Sequence, residues 1–109
     1  MNINKIKVNL VRFIKREKRV SFVEIENYFD KIGFDYQGDI LICKEHENII
    51  VWDGWNAQAI EIIYELLDSK LVTMKPTDEL MYYVGGKILT LPVYRGERPF
   101  KQWLPVEFN

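Results

Sequence analysis

The stretch Asn56–Val84, NAQAIEIIYELLDSKLVTMKPTDELMYYV, changes its hydrophobic period partway along, and that change decides the fold class. Ile60, Ile63, Tyr64 and Leu67 recur at three- and four-residue spacing on one face of an amphipathic helix, with Glu61, Glu65 and Asp68 falling mostly elsewhere. Asn56 stands where the N-cap belongs. From Leu71 the period drops to near two, and Pro76-Thr77-Asp78-Glu79 carries turn chemistry between LVTMK and LMYYV, which predicts a hairpin.

Upstream, Ile3, Ile6, Leu10, Phe13 and Ile14 form the stripe of a first helix over residues 3–18, and Lys5, Arg12, Arg16 and Arg19 fall in an arc opposite it. Arg19-Val20 reads as a short strand. Ser21 and Glu24 make a capping box for a second helix, whose inner face is Ile25, Tyr28, Phe29 and Ile32 and whose C-terminal cap is Gly33. Helix, short strand, helix, helix, hairpin is the order of a winged helix-turn-helix. One departure is plain: over twenty residues separate the second and third helices, and ILIC, the polar turn Lys44–Asn48 and IIVW predict an inserted hairpin there, ended by Asp53-Gly54. The expectation is an α+β winged-helix variant of three helices, an inserted hairpin and a C-terminal wing hairpin. Residues 1–86 form the domain and 87–109 an extended segment packed on or beside it. A four-stranded α+β fold of another kind stays open.

The 109 residues suffice for one domain with a core, and 48% hydrophobic with 28% charged residues fits a globular chain rather than a disordered one. No apolar run approaches the roughly 20 residues of a membrane span, and the N-terminus lacks the apolar centre of a signal peptide, so a cytoplasmic protein is expected. Cys43 is the single cysteine, excludes an internal disulfide, and reads as a buried core residue. His46, between Glu45 and Glu47, reads as an exposed turn residue without converging metal ligands. No nucleophile stands beside a base, no carboxylate pair is singled out, and Gly85-Gly86 is no phosphate cradle. An enzyme is not expected, nor a cofactor or metal.

The net charge of −1 is unevenly spread: +6 over residues 1–20, −9 over 21–79 and +2 over 80–109. The third helix has no Lys or Arg before Lys70, so its carboxylates repel a phosphate row and major-groove reading by this helix is disfavoured. Cations for nucleic acid then come from the first helix and the last third of the chain. After Val84, three prolines favour extended structure, and Tyr94, Arg95, Arg98, Phe100, Lys101 and Trp103 interleave rings with cations. Such a mixture suits a single-strand groove, where cations track phosphates and rings stack bases. The alternative is that Phe100, Trp103 and Phe108 pin the segment to the domain. The candidate nucleic-acid contacts are Lys5, Arg12, Lys15, Arg16, Arg19, Tyr83, Lys87, Arg95, Arg98, Lys101 and Trp103.

The run from WNAQAIEIIYELLDSKLV through MYYVGG to WLPVEF resembles the small winged-helix proteins of phages and chromosomal islands of Gram-positive bacteria, and more narrowly the single-stranded-DNA-binding variant of staphylococcal cassette elements. The resemblance implies a role in replication or maintenance of a mobile element, a preference for single strands, and self-association along the strand. It carries over no individual binding residue. Two other functions stay open. One is an accessory subunit whose acidic middle docks on a replication polymerase or helicase; the other is a duplex-binding transcriptional regulator.

Overall fold

A computed structural model describes residues 2–109. Helix α1 spans Ile3–Glu17, its first turn capped by the Asn2 side chain, which accepts from the Lys5 N–H, and its buried stripe is Ile6, Leu10 and Ile14. Helix α2 spans Phe22–Ile32 between the expected Ser21/Glu24 capping box and Gly33, which takes the left-handed conformation. Each cap satisfies backbone groups that a helix end leaves unpaired.

The inserted hairpin is present as β1 (Gln37–Lys44) and β2 (His46–Trp55), antiparallel about Glu45. It runs past Asp53-Gly54, where the sequence expectation ends it. Trp52 and Trp55 are three residues apart, and a regular strand would point them to opposite faces. Gly54, at φ +85, interrupts the alternation in a register already irregular on β1, and both indoles point to one buried acceptor. Close packing at the mouth of the hairpin requires Gly38: a Cβ there would lie 2.7 Å from Trp55 and Asn56 backbone atoms.

Helix α3 (Ala57–Asp68) starts at the expected cap, with Asn56 accepting from the Ala59 N–H. Its buried face is Ala59, Ile62, Ile63 and Leu66, rotated from the expected one, and Tyr64 is exposed. The helix is gripped on two sides. Lys7 of α1 pairs with Glu65, and the Tyr64 hydroxyl donates to the Cys43 carbonyl of β1 at 3.5 Å. Cys43 is half-buried rather than fully enclosed.

The wing hairpin expected from LVTMK and LMYYV does not form. β3 is only Met74–Pro76, and Leu80–Gly85 is a short helix, α4, so the described residues form four helices rather than three. The Asp78 carboxylate accepts from the Leu80 N–H at 2.9 Å and so begins a helical turn where a strand was expected. Tyr82 then locks α4 inward: its hydroxyl donates to the Val106 carbonyl at 2.6 Å and accepts from the Phe22 N–H at 3.2 Å.

The partner of β3 comes from the end of the chain. β4 (Gln102–Trp103) runs parallel to β2, and β5 (Val106–Phe108) runs antiparallel to β3. Val20, in the link between α1 and α2, pairs with Phe108 on the other edge of β5. Two small sheets result, β1-β2-β4 and Val20-β5-β3, joined through Leu104-Pro105. One hydrophobic cluster extends from Ile6 to Phe108, and Phe22 lies at its aromatic centre, 5.7 Å from Trp52, 5.2 Å from Trp55 and 5.0 Å from Phe108 between ring centroids. Among the described residues no helix is long and apolar enough to cross a membrane.

Candidate nucleic-acid interface

The periodicity that buries Ile6, Leu10 and Ile14 leaves the other face of α1 to solvent, where Lys5, Arg12, Lys15 and Arg16 are all exposed. Lys5 and Arg12 meet no carboxylate among the described residues; Lys15 reaches only the Asn109 carbonyl, at 3.4 Å, and Arg16 lies 3.4 Å from Glu17 in an open surface pair. Such a pair is worth little in water and yields readily to a phosphate.

Arg19 is committed elsewhere. Its Nε lies 3.1 Å from Glu107, a carboxylate 2% exposed, with Lys75 at 4.0 Å on the other oxygen. Burial pushes the Glu107 carboxyl up, but hydrogen bonds from Asn109, Thr77 and Arg19 outweigh it and hold the group below the ordinary carboxylate range. Both cations thus offset a buried charge of the fold, although their outer parts stay wet.

Lys87 has a similar task. Its ammonium lies 2.8 Å from Oε1 of Glu26 and above the Trp52 ring, while Oε2 of Glu26 accepts from the indole N–H of Trp52 at 2.7 Å and of Trp55 at 2.8 Å. Glu26 is 3% exposed. Only the bulged hairpin brings two indoles to this acid. Among the expected contacts, Lys87 is therefore placed as a structural counter-charge first.

In the C-terminal third, Arg95, Arg98 and Lys101 are exposed, and among the described residues the two guanidinium groups bond only to carbonyls of their own loop. Gln102 shapes that loop by accepting from the Arg95 N–H at 2.9 Å and donating to the Gly96 carbonyl at 2.7 Å. No hydrogen bond or ion pair among the described residues links this group to the α1 cations. Tyr83 is 54% exposed beside Val84 and Leu80 on the outer face of α4. Trp103 corrects the expectation of an open stacking ring: it is 1% exposed, 5.2 Å from Tyr82 and 6.4 Å from Trp52, so both faces are covered by the core. Phe100, at 49% exposed, is the open ring of that loop.

One set of residues escapes the sequence reading. Between α1 and α2 lies a cleft of about 390 Å³ lined by Phe13, Arg16, Glu24, Asn27, Tyr28, Lys31 and Ile32. Phe13 and Tyr28 are half-buried and stacked, 4.9 Å apart at 25°. Arg16 lies 5.8 Å above the Phe13 ring. Burial pushes the Tyr28 hydroxyl up against the opposing effect of Arg16, so it stays protonated at neutral pH. Each ring reads as a core position of its own helix, and nothing in either helix alone signals the shared ledge.

The α3 surface offers Gln58, Glu61, Glu65 and Asp68 and is flanked by α1 and β1, which leaves a phosphate backbone little to approach. His46 is exposed, with Nδ1 accepting from the Asn48 N–H, and no cluster of three or more His, Cys, Asp or Glu able to hold a metal occurs among the described residues. The chain matches no protein-family model, no curated protein and no solved structure. What stands on geometry is an α+β domain with two separate exposed basic groups.

Proposed function

We propose that this chain is a non-catalytic DNA-binding protein on a winged-helix variant, binding single strands without strong sequence preference in the replication or maintenance of a mobile element. The fold part is supported by the strand order Val20-β5-β3, in which the strand between the first two helices lies beside the last strand, and that strand lies beside the one following α3. That order is the one a winged helix would have, with Thr77–Pro105, α4 included, standing where its wing would be, and so supports the reading. The observation that carries the DNA part is the exposed cation row Lys5, Arg12, Lys15 and Arg16 on α1, set against an acidic α3. A surface of that kind tracks a flexible backbone and does not suit insertion of α3 into a major groove.

Anisotropy titration of a labelled pyrimidine strand against duplex, at two salt concentrations, tests it. About four phosphate contacts give a log–log salt slope near −3 and a loss on the order of 50-fold between about 50 and 200 mM salt. Absence of single-strand binding at low salt would sink the proposal, and tighter binding of duplex would favour a duplex-binding regulator. A second reading, an accessory subunit of a replication polymerase or helicase, is favoured by the apolar Leu80, Tyr83 and Val84 standing open on α4, the last at 89% exposure. Its mark is tight binding to such a protein that Val84→Asp abolishes.

A further inference from the structure

We propose that the cleft between α1 and α2 receives one unstacked base of a single strand, with its phosphate held by Arg16 and Lys31. This deepens the single-strand reading and rests on it. The cleft, about 390 Å³, falls in the range of small-ligand sites and suits a nucleotide rather than a helix of nucleic acid. Phe13 and Tyr28 line it as an aromatic stack already formed without a ligand. A base added to that stack gains contact without ordering new side chains.

The polar groups around the ledge match a nucleotide. Arg16 and Lys31 stand on opposite helices and supply positive charge from both sides. Asn27 brings an amide, both donor and acceptor, and the Tyr28 hydroxyl has no hydrogen-bond partner among the described residues. Glu24 also lines the cleft and opposes a phosphate, but its Oε1 is occupied by the Ser21 N–H at 3.1 Å as part of the α2 cap. Arg12 lies one helical turn before Arg16, so a strand whose base enters the cleft continues along the α1 cation row.

Selection for single strands follows from the shape. A paired base is stacked on both faces and cannot enter a cleft between two helices, whereas a base of a flexible strand turns out at small cost. The larger groove between α1 and the end of α3 is a poorer host, because Glu65 and Asp68 line it.

The test uses the full chain, a labelled oligothymidine and an abasic strand of equal length. The intact protein is expected to bind oligothymidine about 10-fold more tightly than the abasic strand, and Phe13→Leu and Tyr28→Leu each to remove most of that margin while leaving abasic binding unchanged. Arg16→Gln and Lys31→Gln should weaken both strands and each flatten the salt slope by about 0.7. Photo-cross-linking of a bromodeoxyuridine strand to the unmodified protein needs no variant, and adducts are expected on Tyr28 or Phe13. Adducts confined to Tyr83, Tyr94 or Phe100, or leucine variants with full affinity and an unchanged unfolding midpoint, would overturn the cleft while leaving strand binding intact. Failure of the intact protein to bind any single strand removes both proposals.

Discussion

Glu26 holds three elements at once, and its replacement should expose how much of the fold depends on one carboxylate. It sits on α2, accepts two indole hydrogen bonds from β2 and an ion pair from Lys87 beyond α4. In Glu26→Leu both indole N–H groups lose their acceptor within the core, where an unsatisfied donor costs about 1–3 kcal/mol, so the change should destabilise by about 2–6 kcal/mol. Lys87 is half exposed and turns to water, adding little. Against a whole-domain stability of about 5–15 kcal/mol this is a large fraction. Glu26→Gln keeps an oxygen for the indoles and loses only the charge, so about 1–3 kcal/mol is expected. Lys87→Met leaves the carboxylate its two indoles and should cost less than Glu26→Leu. Urea unfolding followed by tryptophan emission reads all three, since Trp52, Trp55 and Trp103 are buried and shift to the red together on exposure. With an m value of about 1–3 kcal/mol per molar, the Glu26→Leu midpoint should fall by roughly 1–3 M. A Glu26→Leu midpoint equal to that of the parent, or no larger a loss than that of Lys87→Met, would refute the view that the acceptor is what matters.

Tyr82→Phe should cost about 1–3 kcal/mol, because the Phe22 N–H loses its buried partner and the Val106 carbonyl a donor. Burial raises the Tyr82 hydroxyl far above its ordinary value near 10, so the folded state holds this proton more tightly than the unfolded state. Stability from this group is complete below about pH 10 and declines as pH rises above it; thermal melts should show that alkaline decline, and Tyr82→Phe should shallow it. Gly38→Ala places a methyl 2.7 Å from the Asn56 backbone and should destabilise by about 1–3 kcal/mol in chemical denaturation; an unchanged midpoint means that the hairpin mouth opens freely. Arg12→Glu with Arg16→Glu should leave the melting temperature nearly unchanged and reduce strand affinity and its salt slope together; unaltered binding clears α1 of a role.

The local signals were strong where short-range chemistry sets the structure. Ser21 and Glu24, Gly33 and Asn56 mark helix ends because a cap is completed within three or four residues, and the inserted hairpin follows from two apolar runs around a polar turn. The charge asymmetry and the acidity of α3 are likewise properties of the sequence itself. LMYYV was illegible for a physical reason: Tyr and Val favour a strand locally, but Tyr82 finds its two hydrogen bonds on α2 and β5, and only a helical turn points it there. The strand that pairs with β3 lies thirty residues further on, a choice of partner that no local period encodes. The same limit hid the chemistry. Glu26 gains its two indole partners only when a bulge turns both tryptophans toward it, the choice between stacking and packing for Trp103 is made by Trp52 and Tyr82, and Phe13 and Tyr28 become one ledge only when α1 and α2 pack. Helix ends and charge balance were determined by neighbours in sequence; strand partners, buried charges and the aromatic cleft were decided by neighbours in space.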